Sequence, residues 1–153
     1  MEDAILYILV VILIGLSAFF SATETAFSSV NRIRLKNYAG EGNKRAVKTL
    51  KIAEDFDRAL SAILIGNNIV NIASASIGTL IFSNLMGDGP AAVTASTVVM
   101  TVVVLIFGEV LPKSLAKENA EKLSLSVTPM LSAVIYILTP FTAMLVGLNK
   151  LVT

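Results

Sequence analysis

The sequence contains no cysteine, no histidine and no tryptophan among its 153 residues. The missing cysteines exclude disulfides and thiolate chemistry, and the missing histidines exclude a Ser-His-Asp triad and imidazole metal ligands. A metal bound by side chains must therefore use oxygen ligands, which suit hard cations such as Mg²⁺ rather than zinc or copper. Charge is also scarce, since charged residues make up 15% of the chain and the net charge is +1. Neither a global field nor a basic stripe indicates a nucleic acid as partner.

Apolar residues dominate what remains, at 55% of the chain with a mean hydropathy of +0.79. This composition is typical of a membrane protein. The first apolar run follows two acids and continues into polar "SATETAFSS", so we expect a retained span rather than a signal peptide. Residues 4–27, 59–83 and 91–111 are predicted to cross the membrane as helices, with a turn at Gly87, Gly89 and Pro90. Pro112 is expected to end or kink the third span.

The polar segments between and after these runs suggest helices that lie beside the membrane. Residues 31–58 read as a pair of short amphipathic helices interrupted at Gly40 and Gly42. Residues 113–151 read as an amphipathic connector followed by an apolar stretch that Pro129 and Pro140 break. That stretch is either a fourth span or a broken belt helix in the inner leaflet, and Lys150 favours the belt.

Orientation follows from the basic residues. Eight Lys and Arg lie between Arg32 and Arg58, so the positive-inside rule makes this segment cytoplasmic. The N-terminus is then expected outside and, with a belt helix, the C-terminus in the cytoplasm. If the last apolar stretch is a belt helix, the predicted fold class is an all-α protein of the plasma or inner membrane, with three transmembrane helices, a cytoplasmic helical pair and a broken juxtamembrane belt helix; otherwise the protein has a fourth span.

Polar residues inside the apolar runs are costly in hydrocarbon, so each needs a partner or a role. In the first run the oxygens share one helical face, at positions i, i+3, i+4 and i+7: Ser21, Glu24, Thr25 and Ser28. They are either ligands, or hydroxyls bonded back to their own helix beside a Glu at the interface.

A second stripe lies in "GNNIVNIASASIG", where Asn67, Asn71, Ser74 and Gly78 recur at i, i+4, i+7 and i+11. Helix packing is the favoured explanation for Ser74 and Gly78. Asn67 and Asn71 offer carbonyl oxygens that a dehydrated cation can use. Asn68 points to another face.

The third motif is "GEVLP". Pro112 cannot donate a hydrogen bond to the carbonyl of Gly108, which leaves that carbonyl beside the carboxylate of Glu109. The alternative is an interfacial ion pair between Glu109 and Lys113. Because three helices each carry oxygens, a bundle that buries them together would form an oxygen cage with one carboxylate, as a Mg²⁺ or Na⁺ site requires.

In this order and spacing, "FSATETAFSS", "LIGNNIVN" and "FGEVLPKSLA" resemble the transmembrane domain of the CNNM/CorC magnesium-transporter family, which includes hemolysin-C-like proteins. The resemblance implies a homodimer in membrane lipid, three spans per subunit and Mg²⁺ export or transport, coupled in some members to Na⁺. It also implies a longer protein with cytoplasmic CBS modules, and we expect no such module within the given residues, which end at Thr153.

The resemblance implies roles for particular residues as well. The implied metal ligands are Ser21, Asn67, Asn71, the Gly108 carbonyl and Glu109. Gly66 and Pro112 would shape the backbone, and Glu24 is a weaker candidate for holding a counter-ion. Two other hypotheses remain open at this point: a non-transporting scaffold or Mg²⁺ sensor, and an intramembrane enzyme that uses Glu24 and Glu109 as acid and base. We predict that the chain is not an enzyme.

Overall fold

The computed structural model describes residues 2–152, with side chains for residues 4–144, and within this range it consists of helices and short turns. The predicted all-α class is confirmed. In chain order the elements are α1 (Glu2–Ser29), α2 (Arg32–Gly40), α3 (Lys44–Glu54), α4 (Phe56–Met86), α5 (Pro90–Val103), a π-helical segment (Val104–Val110), α6 (Leu111–Glu118) and α7 (Ala120–Val152).

Four stretches of helix in the described residues are long and apolar enough to cross a membrane: Ala4–Ser29, Phe56–Met86, Pro90–Glu118 and Ala120–Met144. The sequence predicted three. Many large apolar side chains on these helices are exposed, including Val11, Ile72 and Val98, each at least 60% exposed. Such surfaces are stable only against an apolar surrounding, so the chain is an integral membrane protein.

Asparagine and glycine residues set the helix boundaries. Asn31 begins α2 by accepting hydrogen bonds from the amides of Ile33 and Arg34, and Asn43 begins α3 in the same way. Gly42, between these helices, and Gly87, after α4, both have positive φ, of 89° and 83°. Pro90 then occupies the first turn of α5, where its fixed φ suits a helix start.

Helix α7 corrects one expectation. Pro129 and Pro140 lie inside one continuous helix and do not break it. Each proline removes a single backbone hydrogen bond, and the remaining bonds of a long apolar helix hold the turns on both sides. Whether this helix spans the bilayer or forms the belt stays a prediction, and the side chain of Lys150, which favoured the belt, lies outside the described residues.

The third predicted span differs as well. Pro112 does not end the helix, because α5, the π-helical segment and α6 follow one another without interruption from Pro90 to Glu118. The π turn before Pro112 is wider than an α-helical turn. It leaves space between the proline ring and the carbonyl group one turn earlier. The amphipathic connector predicted at the start of residues 113–151 is accordingly divided at Asn119, and its first part extends this long helix.

Two compact units divide the chain. The first contains residues 2–22 and Asn67–Ser114, in which α4 packs against α5 so closely that a Cβ on Gly78 would overlap Met100 Cγ. The second contains Thr23–Gly66 and the residues from Leu115 onward, in which α3 packs on α2 and α7. Its core includes Leu35 and a buried contact of 2.7 Å between the hydroxyls of Thr49 and Thr128.

Candidate functional site

Ser17 of α1 is the centre of the polar contacts in the first unit. Its side chain is fully buried, and its hydroxyl oxygen lies 2.8 Å from Asn71 Oδ1 and 3.2 Å from Asn67 Oδ1. Asn67 and Asn71 are one turn apart on α4, so both amides face the same point on α1. The spacing of the second sequence motif thus brings two side-chain carbonyls to one hydroxyl.

This arrangement has more acceptors than donors. A serine hydroxyl carries one hydrogen, so it satisfies only one of the two Asn carbonyl oxygens at a time. A cation would satisfy all three oxygens together. In an octahedral Mg²⁺ site with Mg–O distances of about 2.1 Å, neighbouring ligand oxygens are about 3.0 Å apart. The observed separations of 2.8 and 3.2 Å match that spacing.

Glu109 supplies the charge next to these oxygens. Asn71 Nδ2 donates a long hydrogen bond of 3.4 Å to Glu109 Oε1, and the carboxylate is half-buried. In residues 4–22 and 67–114 the only other acid is Asp88, in the turn after α4. No group of three or more carboxylates that could hold a metal ion occurs among the described residues. We call Ser17, Asn67, Asn71 and Glu109 the oxygen cluster.

Gly108 allows the π-helical segment to approach α1. It is buried, and a Cβ at this position would lie 2.8 Å from Ser17 Oγ and 3.2 Å from Ser17 Cβ. Any larger residue would displace the serine that contacts both asparagines. The π register is visible in the amide of Leu111, which donates to the carbonyl of Ile106, five residues back. Pro112, directly afterwards, has no amide hydrogen to donate.

Ser21 lies one turn after Ser17 on α1. It is fully buried, and its hydroxyl has no hydrogen-bond partner among the described residues. A buried hydroxyl without a partner costs free energy, on the order of 1–3 kcal/mol from mutational data. Such a group is suited to bind a ligand or a water molecule.

The other members of the first motif, Glu24, Thr25 and Ser28, belong to the second unit. Ser28 donates to the carbonyl of Thr25 over 3.1 Å, as expected for a hydroxyl bonded back to its own helix. Glu24 is half-buried there. Gly66 is buried and belongs to the same unit, immediately before Asn67 in the chain.

The remaining members of the second stripe pack helices together. Ser74 is buried and donates to the carbonyl of Val70 over 2.9 Å, and Gly78 faces Met100 and Ser96 of α5. Both roles agree with the packing interpretation favoured for these residues. Asn68 is exposed on another face of α4.

A groove of about 300 Å³ leads away from the oxygen cluster between α4 and the helix from Pro90. Asn71 and Glu109 lie at its polar end. The remainder combines hydroxyls with apolar side chains: Ala75, Thr79, Ser96, Thr97, Met100, Thr101, Val104 and Leu105. The groove therefore has one acidic residue and a mostly apolar wall.

Ser17 was not predicted from the sequence as part of the site. A lone serine in a long apolar helix is ordinary, because its hydroxyl can bond to a carbonyl one turn earlier. One signal was available, since Ser17 precedes Ser21 by four residues and so extends the polar face of the first motif by one turn.

Comparison with known proteins places this architecture in a family. The model of the cyclin M transmembrane N-terminal domain matches residues 8–153. A UPF0053 protein of Haemophilus influenzae is 42% identical over 88% of this chain and 32% of its own length. The UPF0053 inner membrane protein YfjD of Escherichia coli is 38% identical over 89% of this chain and 31% of its own length.

A more distant relative, a polyamine export protein of Haemophilus influenzae, is 27% identical over 86% of this chain and 33% of its own length. The chain thus spans about a third of the length of the curated relatives that it matches. The family match covers nearly the whole sequence and includes all three polar motifs, and the chain belongs to the CNNM/CorC family of membrane domains.

Proposed function

We propose that this membrane domain transports Mg²⁺, which binds at the oxygen cluster as a partly dehydrated ion. One observation carries the proposal: the hydroxyl oxygen of Ser17 lies within 3.2 Å of the carbonyl oxygens of both Asn67 and Asn71, and the amide of Asn71 also contacts the carboxylate of Glu109. Hard oxygens with a single negative charge suit a cation that must bind and then leave.

The ligand set extends the cluster. Ser17, Asn67, Asn71 and Glu109 supply four oxygens, and the Gly108 carbonyl and the Ser21 hydroxyl are the proposed further protein ligands, with water taking either of these two positions when its protein oxygen does not bind. The partnerless hydroxyl of Ser21 supports this extension. Mg²⁺ retains waters readily, so an incomplete protein cage is compatible with it.

The test is a comparison of matched variants in liposomes. Glu109→Gln removes the charge without changing the size of the side chain, and we expect at least about a tenfold loss of Mg²⁺ affinity and of flux, since 1.4 kcal/mol corresponds to a factor of ten. Asn71→Ala should have a similar effect. Glu118→Gln and Asn37→Ala remove the same groups at exposed positions and should leave both quantities unchanged.

Two results would contradict the proposal. Unchanged Mg²⁺ binding and flux in Glu109→Gln and Asn71→Ala would exclude the oxygen cluster as the site. Mg²⁺-dependent stabilisation without flux would instead favour the scaffold or sensor hypothesis. Coupling to Na⁺ is part of the proposal and is measured by imposing a Na⁺ gradient, which should drive Mg²⁺ in the opposite direction.

A second candidate cargo is a polyamine, because one relative is a polyamine export protein and the groove has a suitable chemistry. A linear alkylammonium ion needs a carboxylate at one end and apolar contacts along its chain, and the groove offers Glu109 followed by Val104 and Leu105. Ala75→Leu would fill the groove away from the cluster. If polyamines are the cargo, we expect this substitution to abolish spermidine flux. If they are not, we expect it to leave Mg²⁺ flux unchanged.

We also propose a homodimer. Leu64, Asn68 and Ile72 occupy one exposed face of α4, at i, i+4 and i+8, and an asparagine facing hydrocarbon is unfavourable. A second copy of the chain would cover this amide and offer it a partner. Since the sequence has no cysteine, Asn68→Cys provides a single thiol, and oxidation in membranes should yield a covalent dimer. A strictly monomeric product would oppose this interface.

The relatives extend well beyond the matched region, and we propose that cytoplasmic CBS modules, where present, regulate the transport performed by this domain.

A further inference from the structure

A second cavity lies in the other unit, and no residue of the oxygen cluster lines it. It has a volume of about 280 Å³ and is formed by the end of α3, the start of α4 and the middle of α7. Its polar part contains Lys51, Asp55 and Arg58, together with hydroxyls of α7. The family assignment and the transport proposal give this cavity no role.

The cavity lies where the polar end of α3 and the first turn of α4 are followed by the apolar part of α4. Lys51 is in the last turn of α3, and Arg58 is in the first turn of α4, directly before the apolar residues that begin with Ala59. Arg58 Nη2 approaches Thr139 Oγ1 of α7 at 3.4 Å. Both basic residues are exposed, so their charges remain available to a ligand.

Apolar surface continues from this cavity along α7. Ile135 and Tyr136 line the cavity itself, and Tyr136 is 83% exposed. The neighbouring residues Ile137 and Phe141 are 66% and 54% exposed. A ligand held by Lys51 and Arg58 would therefore extend an apolar tail over an exposed apolar surface.

We propose that this cavity binds the headgroup of an anionic phospholipid. The phosphate would contact Lys51 and Arg58, in the way that basic pockets at the ends of membrane helices hold acidic lipids. Asp55 limits the positive charge of the cavity to +1, which favours a singly charged headgroup. Its carboxylate can also accept hydrogen bonds from headgroup hydroxyls, so phosphatidylglycerol suits the cavity better than a multiply phosphorylated lipid.

The test uses the whole chain purified in neutral detergent, where general attraction to a charged bilayer is absent. Phosphatidylglycerol and phosphatidylcholine are titrated separately, and bound lipid is counted by native mass spectrometry while the melting temperature is followed. Lys51→Gln with Arg58→Gln removes both cavity charges. Lys36→Gln with Lys44→Gln removes two exposed charges of the same unit that do not line the cavity.

We expect the unmodified chain to prefer phosphatidylglycerol and to melt at a higher temperature in its presence. Each basic residue near an anionic lipid contributes a factor of about five, so the cavity double variant should bind about twenty- to thirty-fold more weakly. The control double variant should bind as the unmodified chain does. Because both cavity residues are exposed, their replacement should leave the protein folded.

Three outcomes would overturn the proposal. Equal binding of the two lipids would show that the phosphate charge is not recognised. An equal loss in the control variant would reduce the effect to net charge. Stabilisation by soluble glycerol phosphate as strong as that by the lipid would make the cavity a site for free anions. None of these depends on Mg²⁺ flux, so this proposal and the transport proposal can fail separately.

Discussion

Replacing Gly108 by alanine would place a methyl group 2.8 Å from Ser17 Oγ and 3.2 Å from Ser17 Cβ. An ordinary non-bonded separation is about 3.5 Å or more, so the serine must move by about 0.7 Å or rotate away. Either movement breaks its contacts with Asn67 and Asn71. The substitution therefore tests whether the close approach at Gly108 positions the oxygen cluster.

Three terms set the expected magnitude. Alanine gains about 0.5–1 kcal/mol over glycine within a helix. Overpacking a buried contact costs about 1–3 kcal/mol, and losing the hydrogen bond of Ser17 costs about 0.5–1.5 kcal/mol. The net loss in free energy of unfolding is then about 0.5–4 kcal/mol. Because Mg²⁺ requires near-ideal octahedral geometry, we expect at least about a tenfold loss of affinity as well.

Calorimetric titration with Mg²⁺ measures the affinity, and unfolding in mixed detergent measures stability. Gly15→Ala is the matched control, since a Cβ on Gly15 has nothing within 4 Å, and it should leave Mg²⁺ binding unchanged. Adding Ser17→Ala to Gly108→Ala removes the clashing oxygen and should recover stability but not affinity. A folded Gly108→Ala protein with unaltered Mg²⁺ affinity would show that the close approach at Gly108 does not position the oxygen cluster.

Two further predictions concern packing in each unit. Gly78→Ala should lower the free energy of unfolding by about 1–3 kcal/mol through overlap with Met100, and Met100→Ala in the same chain should reduce that loss. If the effects of the two substitutions were strictly additive, the close contact would be contradicted. Thr49→Val or Thr128→Val alone should lower the free energy of unfolding by about 1–2 kcal/mol by leaving a buried hydroxyl with fewer partners, whereas the double substitution should cost less than the sum of the two. A double-mutant cycle without coupling would contradict the 2.7 Å contact.

Much of the oxygen cluster was predictable because its members follow helical spacing. Asn67 and Asn71 are separated by four residues on an uninterrupted helix, so their convergence followed from the sequence alone. Glu109 was identified by the cost of a carboxylate within an apolar run. Ser17 was not predicted, because one hydroxyl among apolar residues has a cheaper explanation within its own helix.

The face that Glu109 occupies was not predictable from α-helical periodicity. Eight residues separate Thr101 from Glu109, which in an α-helix at 3.6 residues per turn leaves them about 80° apart. Both nevertheless line the same groove. The π-helical segment winds less per residue, and it brings Glu109 back towards the line of Thr101.

The prolines misled the prediction for a different reason. In water a proline inside a helix commonly ends it, because the released carbonyl can bond to solvent and the chain can turn. In hydrocarbon no such solvent exists, so ending a helix exposes further backbone groups at a cost of several kcal/mol each. Continuation through Pro112, Pro129 and Pro140 is therefore the smaller cost.

The π-helical segment also changes what the third long helix can do mechanically. Exchanging its i→i+5 hydrogen bonds for i→i+4 bonds would redistribute one residue and turn Glu109 about the helix axis by up to about 100°, the angle of one α-helical residue. In the helix from Pro90 to Glu118, the side that the Glu109 carboxylate faces therefore depends on whether this segment has π-helical or α-helical bonds.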